Sequence, residues 1–537
     1  MSHWHLAPNG ASERAVHRAR VAALAVAMVA AIVIVVSGLT AAPATGAVGG
    51  SSSKSRVVHV EQGNLRGVQA NGVQSFRGIP FAAPPVGELR FAAPSEPAKW
   101  RGVRDATTAS PACLQGGMGD VSSGQVTSED CLYLDVYGPG RAAPGHRLPV
   151  IVWIHGGGFG GGSGGEFDGS ELARLTQSVV VSVNYRLGAL GFLAVEQMGE
   201  AVGNFGILDQ AAALTWVSRN ISAFGGDPGS VTLDGQSAGA MSICSLLVSP
   251  LTEGLFDRAI LQSGPCTFPA SSAASTAVVR GGAAAASLGC TSPADRMDCL
   301  RGLDVGALMR VNGRFTPVHG VPAVPTSPLE AIAAGDWHKV PLLLGSTRYE
   351  GKQGIYFSVG PDAGSMTVEQ YEAKVRQFHG PRADAILAQY PASDFEKPAY
   401  ALAAIDTDSG FGCRSYEFAE LAATQVPVYE YEFDDPTSPT NQGMSIAGLD
   451  MASAHSADLA YLFAYSDVER PLTATENELA TRMKLYWGEF AETGTLGSPW
   501  APVTSLDHPV LRLQSGGDEV FRTFADDHNC GFWATQR

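Results

Sequence analysis

The sequence predicts an α/β protein whose large, mostly parallel sheet is covered by helices on both faces. Three observations predict it. Short β-rich runs bounded by turn residues recur at 148–154, 179–184, 231–234, 259–262, 340–344 and 426–433. Most of them are continuously apolar, as strands buried on both faces must be, rather than alternating. Helical stretches, among them 209–218, 238–247 and 476–491, separate the runs, and strands alternating with helices build parallel sheets.

Composition bounds the rest. With 45% apolar and 16% charged residues, the 537-residue chain has the balance of a globular protein, which excludes a disordered one. The length by itself suits several domains, and no tandem repeat is present.

The amino end reads as an export signal over residues 1–44. Arg14, His17, Arg18 and Arg20 form a basic flank, and an apolar run follows from residue 21 to 36. Ala42-Pro43-Ala44 and Thr45-Gly46-Ala47 are two small-residue cleavage sites. Read instead as an uncleaved anchor, the run must stretch to Leu39, because a span needs about 20 apolar residues. No later segment is long and apolar enough to cross a membrane. Residues 45–55, rich in Gly and Ser from Gly49 onward, read as a linker before a domain spanning 56–537. Removing 1–44 takes away three arginines and Glu13, which moves the net charge from −16 to −18. Such an acidic protein is a poor partner for nucleic acid.

Eight cysteines, an even number, suit an exported and oxidised protein. Spacing leaves their connectivity open, although the near neighbours Cys113/Cys131 and Cys290/Cys299 are each placed to staple a loop. No spacing resembles a zinc site. Between the strands, the Ala-rich stretch 269–288 reads as a helix or cap. The Pro- and Gly-bearing stretch 309–328 reads as an irregular loop at the active site.

The strongest chemical signal is Gly235-Gln236-Ser237-Ala238-Gly239, with a strand before it and a helix after it. Small residues flanking Ser237 permit the sharp, strained turn of a nucleophile elbow, and the helix aims its positive end at a developing oxyanion. Gly161-Gly162-Ser163-Gly164-Gly165 also fits G-x-S-x-G. No strand precedes it and no helix is expected after it, so Ser163 reads as loop. After the run ending at Ile154 comes His155-Gly156-Gly157-Gly158-Phe159. Successive glycines let backbone N–H groups converge, so Gly157 and Gly158, with Ala238, are the expected oxyanion donors. Gly156 to Gly161 also satisfies G-x-G-x-x-G, but the glycines run on to Gly165 where a dinucleotide site needs a helix.

At these residues the chain resembles the type-B carboxylesterase/lipase family. Phe224-Gly225-Gly226-Asp227-Pro228 through Gly239 resembles its active-site signature, and 129–137 (EDCLYLDVY) resembles its second. Phe76-Arg77-Gly78-Ile79-Pro80, Asn184-Tyr185-Arg186-Leu187-Gly188, Gly203-Asn204-Phe205-Gly206 with Asp209-Gln210, and Leu261-Gln262-Ser263-Gly264 extend the likeness over nearly the whole chain after residue 57. The resemblance implies one α/β-hydrolase domain in place of several. It also implies disulfides Cys113–Cys131 and Cys290–Cys299, with Cys413 and Cys530 at positions that pair in the cholinesterase branch. Cys244 and Cys266 remain, both near the elbow, and are expected to pair.

Chain order then supplies the partners of Ser237: acid first, histidine second. Glu350 follows the run 340–344 on the same sheet edge as the nucleophile, in a segment resembling the family's acid loop. Of the later histidines His379, His455, His508 and His528, His455 lies in Ala454-His455-Ser456-Ala457-Asp458-Leu459, which resembles the catalytic-histidine loop. His528, beside Cys530, reads as structural. Asp458 is expected to buttress the loop and Ser263 to sit behind the triad.

Two departures bear on substrate. Gln236 stands where most members carry Glu, so one negative charge beside Ser237 is missing and a cationic substrate loses attraction. The Cys113–Cys131 loop contains no aromatic residue to face a choline ammonium. The expected substrate is a neutral carboxylic ester, and no metal or organic cofactor is required. A lipase, carbamate hydrolase, amidase or acyltransferase would use the same residues. Adhesion or scaffold proteins on this fold usually lose the nucleophile, whereas here all three positions are filled.

Overall fold

A computed structural model describes residues 53–116, 125–441, 443–465 and 467–536. The export segment and most of the expected linker lie outside the described residues, as does part of the Cys113–Cys131 loop.

Among the described residues thirteen strands form the main sheet: β1 (Lys54–Val60), β2 (Gly63–Ala70), β3 (Val73–Pro80), β4 (Val103–Asp105), β5 (Tyr133–Pro139), β6 (Leu148–Ile154), β7 (Val179–Val183), β8 (Gly226–Gln236), β9 (Arg258–Gln262), β10 (Leu342–Thr347), β11 (Val428–Phe433), β12 (Val510–Leu513) and β13 (Glu519–Phe521). Their order is β1-β2-β3-β5-β7-β6-β8-β9-β10-β11-β12-β13, with β4 on β2. From β7 through β12 every neighbouring pair is parallel. β1–β3, β5 and β13 join antiparallel at the two ends. The structure therefore has the expected parallel centre and adds an antiparallel flank. β7, β10 and β11 are buried along their whole length; β7 and β10 are apolar or small throughout, whereas β11 also buries Glu430 and Glu432.

Helices α1 (Phe205–Asn220), α2 (Ala238–Leu246), α3 (Ala274–Ser287), α4 (Gly351–Ser358), α5 (Pro398–Thr407) and α6 (Ala474–Thr493) are the ones used below. α6 starts at a capping box in which Thr473 and Glu476 satisfy each other's backbone N–H groups, and it stops at left-handed Gly494. The core divides across the sheet. On one side β6, β8 and β9 pack with α2, using Val150, Val152, Leu233 and Ile243. On the other, Ile151, Trp153 and Ile260 meet Met483, Trp487 and Phe490 of α6. Neighbouring residues of one strand thus feed opposite cores, as the pleat requires.

Several boundaries differ from the sequence reading. Lys54 and Ser55 already pair with Gln69 and Val68 of β2, so strand begins two residues before Arg56. β8 starts at Gly226, earlier than expected, because its first half is Gly- and Pro-rich and carries no apolar signal. The 309–328 stretch holds a two-residue strand, Val318–His319, against Ser272–Ala273. Among the described residues, no helix is long and apolar enough to cross a membrane.

All eight cysteines pair: Cys113–Cys131, Cys244–Cys266, Cys290–Cys299 and Cys413–Cys530. Cys244 lies in α2 and Cys266 follows β9, so this bridge ties the elbow helix to the neighbouring strand end.

Candidate active site

Ser237 ends β8 and begins α2 with φ 54° and ψ −122°, a conformation costly for a residue with a side chain. The flanking glycines make the turn possible. A Cβ on Gly239 would lie 2.0 Å from Ile154 O, and one on Gly235 would lie 2.7 Å from the Gly239 carbonyl carbon. The Ser237 N–H donates to Gln262 O at 2.8 Å, which pins the turn to β9. Ser163 differs in kind. A single 3₁₀ turn, Gly164–Glu166, does open after it, contrary to expectation, but its hydroxyl is buried and donates to Gln125 Oε1 at 3.0 Å.

The glycine loop after β6 approaches the same point. A Cβ on Gly156 would come within 3.1 Å of Ser237 Cβ. Gly157 and Gly158 have φ 102° and 61°, left-handed conformations that glycine adopts without strain. Ala238, first residue of α2, has no intrahelical acceptor for its N–H. His155 anchors the loop. Its ring stacks on Tyr185 at 4.4 Å, and burial lowers its pKa to about 4, so it stays neutral.

Glu350 follows β10 and is buried. Its Oε1 accepts from the Thr347 N–H at 2.8 Å, and its Oε2 accepts from His455 Nδ1 in a short hydrogen bond. The two loops are joined side by side. The Tyr349 N–H donates to Ser453 O at 3.0 Å, and Lys352 Nζ donates to Ala452 O at 2.8 Å. Burial pushes the His455 pKa down, but the Glu350 charge and hydrogen bond, with Asp458 and Asp406, outweigh it and raise it overall.

With Nδ1–H committed to Glu350, His455 Nε2 is an acceptor. The Gln236 amide N–H lies 3.1 Å from it and also donates to Ser456 Oγ at 2.9 Å. Among the described residues Ser237 Oγ forms no hydrogen bond, so the structure brings Glu350 and His455 together directly and Gln236 occupies the free nitrogen. Asp458 is wholly buried and accepts from Tyr431 OH at 3.2 Å; burial and the Glu350 charge push it up to about 7. Ser263 is buried just after β9 at φ 52° and donates its N–H to Gly345 O at 2.7 Å. Its hydroxyl bonds to none of the three expected catalytic residues.

Ser237, His455, Glu350, Gly157, Gly158 and Ala238 all line one cavity of about 860 Å³. Its wall contains residues the sequence reading did not single out. Phe411 packs 5.1 Å from the His455 ring. Asp406 of α5 faces the cavity, where surrounding protein and the Glu350 charge push its pKa up to about 6. Burial, with Asp467 nearby, pushes Glu166 up to about 7. None of these carries a local sequence signal, because loops distant in the chain bring them together. Among the described residues no His, Cys, Asp and Glu group is arranged to hold a metal ion.

Other matched motifs have structural work. Asp209 holds Arg186 through its N–H, Nε and Nη2 at 3.0, 2.8 and 2.7 Å, all buried. Asp135 accepts from the Gly78 N–H at 2.8 Å and from Arg77 Nε at 3.2 Å.

A parallel sheet with a strand–elbow–helix at its centre and a glycine loop beside it defines an α/β-hydrolase. The chain matches the carboxylesterase family over residues 54–533 and belongs to it. Para-nitrobenzyl esterase of Bacillus subtilis (strain 168) is 36% identical over 468 residues, 82% of this chain and 90% of the relative. Cocaine esterase of Homo sapiens is 35% identical over 499 residues, 86% of this chain and 88% of the relative. The solved structure of a PNB esterase superposes with a TM-score of 0.74 at 32% identity, covering 89% of this chain and 99% of that one. The protein is a carboxylic ester hydrolase.

Proposed function

We propose that this esterase acts through a Ser237–His455–Glu350 triad and an acyl-enzyme intermediate. The observation that carries the reading is convergence: the strained serine, the Glu350-held histidine and residues Gly157, Gly158 and Ala238 line one cavity. Ser237 Oγ attacks the ester carbonyl while His455 Nε2 takes its proton. For that, Nε2 exchanges the Gln236 N–H for the Ser237 hydroxyl, and Gln236 keeps its bond to Ser456. Glu350 holds Nδ1–H and stabilises the imidazolium. The N–H groups of Gly157, Gly158 and Ala238 receive the oxyanion, each worth about 3 kcal/mol. Collapse releases the alcohol, protonated by His455, and water activated by His455 then frees the acid and restores Ser237.

The substrates are neutral carboxylic esters at the reacting end. Gln236, beside Ser237, is uncharged, which removes one attraction for a cationic group at the reacting end. Export is supported by four disulfides, which persist in oxidising compartments.

The test is Ser237→Ala assayed on p-nitrophenyl acetate, alongside labelling of the parent by an organophosphonate. Loss of turnover by about 10⁴-fold or more and labelling at Ser237 alone are expected. Substantial turnover by the alanine variant overturns the assignment.

A further inference from the structure

Beside the ester cavity lies a second groove of about 640 Å³, lined among the described residues by Arg280, Arg310 and Arg314 together with Asn312 and small and apolar residues, and by no carboxylate. Arg280, Ala283, Ala284 and Ser287 of α3 line it, at the spacing of one helix face. The alanines leave the space open. α3 is seated from its other side, where Gly281 packs so closely that a Cβ would lie 1.7 Å from Ala194 O. Arg310 and Arg314 come from the segment after Leu308, whose far end is fixed by paired Asn204–Val318 hydrogen bonds at 2.8 Å.

The three guanidiniums are exposed and form no salt bridge among the described residues, although the chain carries a net charge of −16. Asp304 approaches Arg310 across Gly306 without closing an ion pair. Most other arginines near carboxylates are paired, as Arg186 is with Asp209 and Arg90 with Glu129. Arg314, Val311 and Gly313 line both the groove and the ester cavity, so the two spaces share a wall.

We propose that this groove binds an oxyanion group, carboxylate or phosphate, carried on the far end of the ester substrate. The inference rests on the esterase reading of Ser237 and adds the substrate class: an ester neutral at the scissile bond and anionic at a distance. Guanidinium donors suit planar or tetrahedral oxyanions, and apolar walls suit the connecting chain.

The test compares kcat/KM for p-nitrophenyl monoesters of glutaric, adipic and suberic acids with their methyl-capped, neutral isosteres. A second series places the free carboxylate on the alcohol side, as acetyl esters of ω-hydroxy acids against their methyl esters. At low salt the anionic member of at least one pair is expected to be favoured about tenfold. That ratio falls towards one in 0.5 M NaCl and in R280Q/R310Q. Citrate is expected to inhibit the favoured anionic ester more than its neutral partner, whereas a site reading only free anions would inhibit both alike. A ratio at or below one in both series overturns the proposal, as does a preference that R280Q/R310Q leaves intact. If the variant fails to fold, the parent's ratio and its salt dependence still decide. Turnover of p-nitrophenyl acetate by Ser237→Ala would overturn the triad instead, whatever the arginines do.

Discussion

The Gln236 side-chain amide donates to His455 Nε2 at 3.1 Å, so the residue preceding Ser237 contacts the proposed catalytic base. An amide can serve either protonation state of the imidazole by turning over, whereas a carboxylate stabilises only the cation.

Gln236→Glu therefore raises the His455 pKa. Since protonated His455 cannot accept the serine proton, the acid limb of the kcat/KM profile moves to higher pH, by about one unit. The pH dependence of p-nitrophenyl acetate hydrolysis checks this, and an unmoved limb rejects direct coupling. The parent enzyme is expected to turn over acetylthiocholine far more slowly than simple aryl esters. The glutamate variant narrows that gap.

Glu350→Gln keeps the shape of the acid loop but removes the charge facing Nδ1. A loss in kcat of about 10³- to 10⁴-fold is expected with little change in KM. Steady-state kinetics with a folded variant, checked by circular dichroism, would show otherwise if Glu350 were only a loop carboxylate.

His528 is buried between Asp408 at 2.7 Å and Glu432 at 2.7 Å. Burial alone would lower its pKa, but the two carboxylates raise it to about 9. Because the folded value exceeds the unfolded value of 6.5, the stabilisation is complete below pH 6.5 and is lost as pH rises through 9. It amounts to about 3 kcal/mol. The stability difference between denaturant melts at pH 6.5 and 9.5 should be about 3 kcal/mol smaller for His528→Gln than for the parent.

The disulfides should differ in worth. Cys413–Cys530 closes a separation of 117 residues and Cys290–Cys299 one of 9. Loop-closure entropy gives about 5 kcal/mol for the first and about 3 kcal/mol for the second. Paired Cys→Ala variants compared by urea unfolding test the order; equal losses would place the effect in native packing.

Gly239→Ala places a Cβ 2.0 Å from Ile154 O, a backbone atom that cannot swing aside. Relief requires the elbow to open, so esterase activity should fall by about 10²-fold or more, with a lowered melting temperature. Activity near the parent level would mean the elbow is not rigid.

Much of this molecule was legible in sequence because its signals are local. The turn at Ser237 needs glycine on both sides, and the loop after Ile154 turns through consecutive positive-φ glycines, so both leave contiguous motifs. The central parallel strands announce themselves as apolar runs because they have no solvent face. β1 to β3 did not, since the exposed and intermediate positions in them dilute the pattern.

By itself the sequence determined the fold class and the strand–turn–helix at Ser237. The tertiary structure alone decided which atoms meet. Gln236 contacts His455 across 219 positions, Asp406 turns towards a cavity built from distant loops, and three arginines from two segments line one groove. Local conformation is encoded by neighbours in the chain. Contacts between loops depend on how the sheet brings their ends together, and no short window of sequence contains that information.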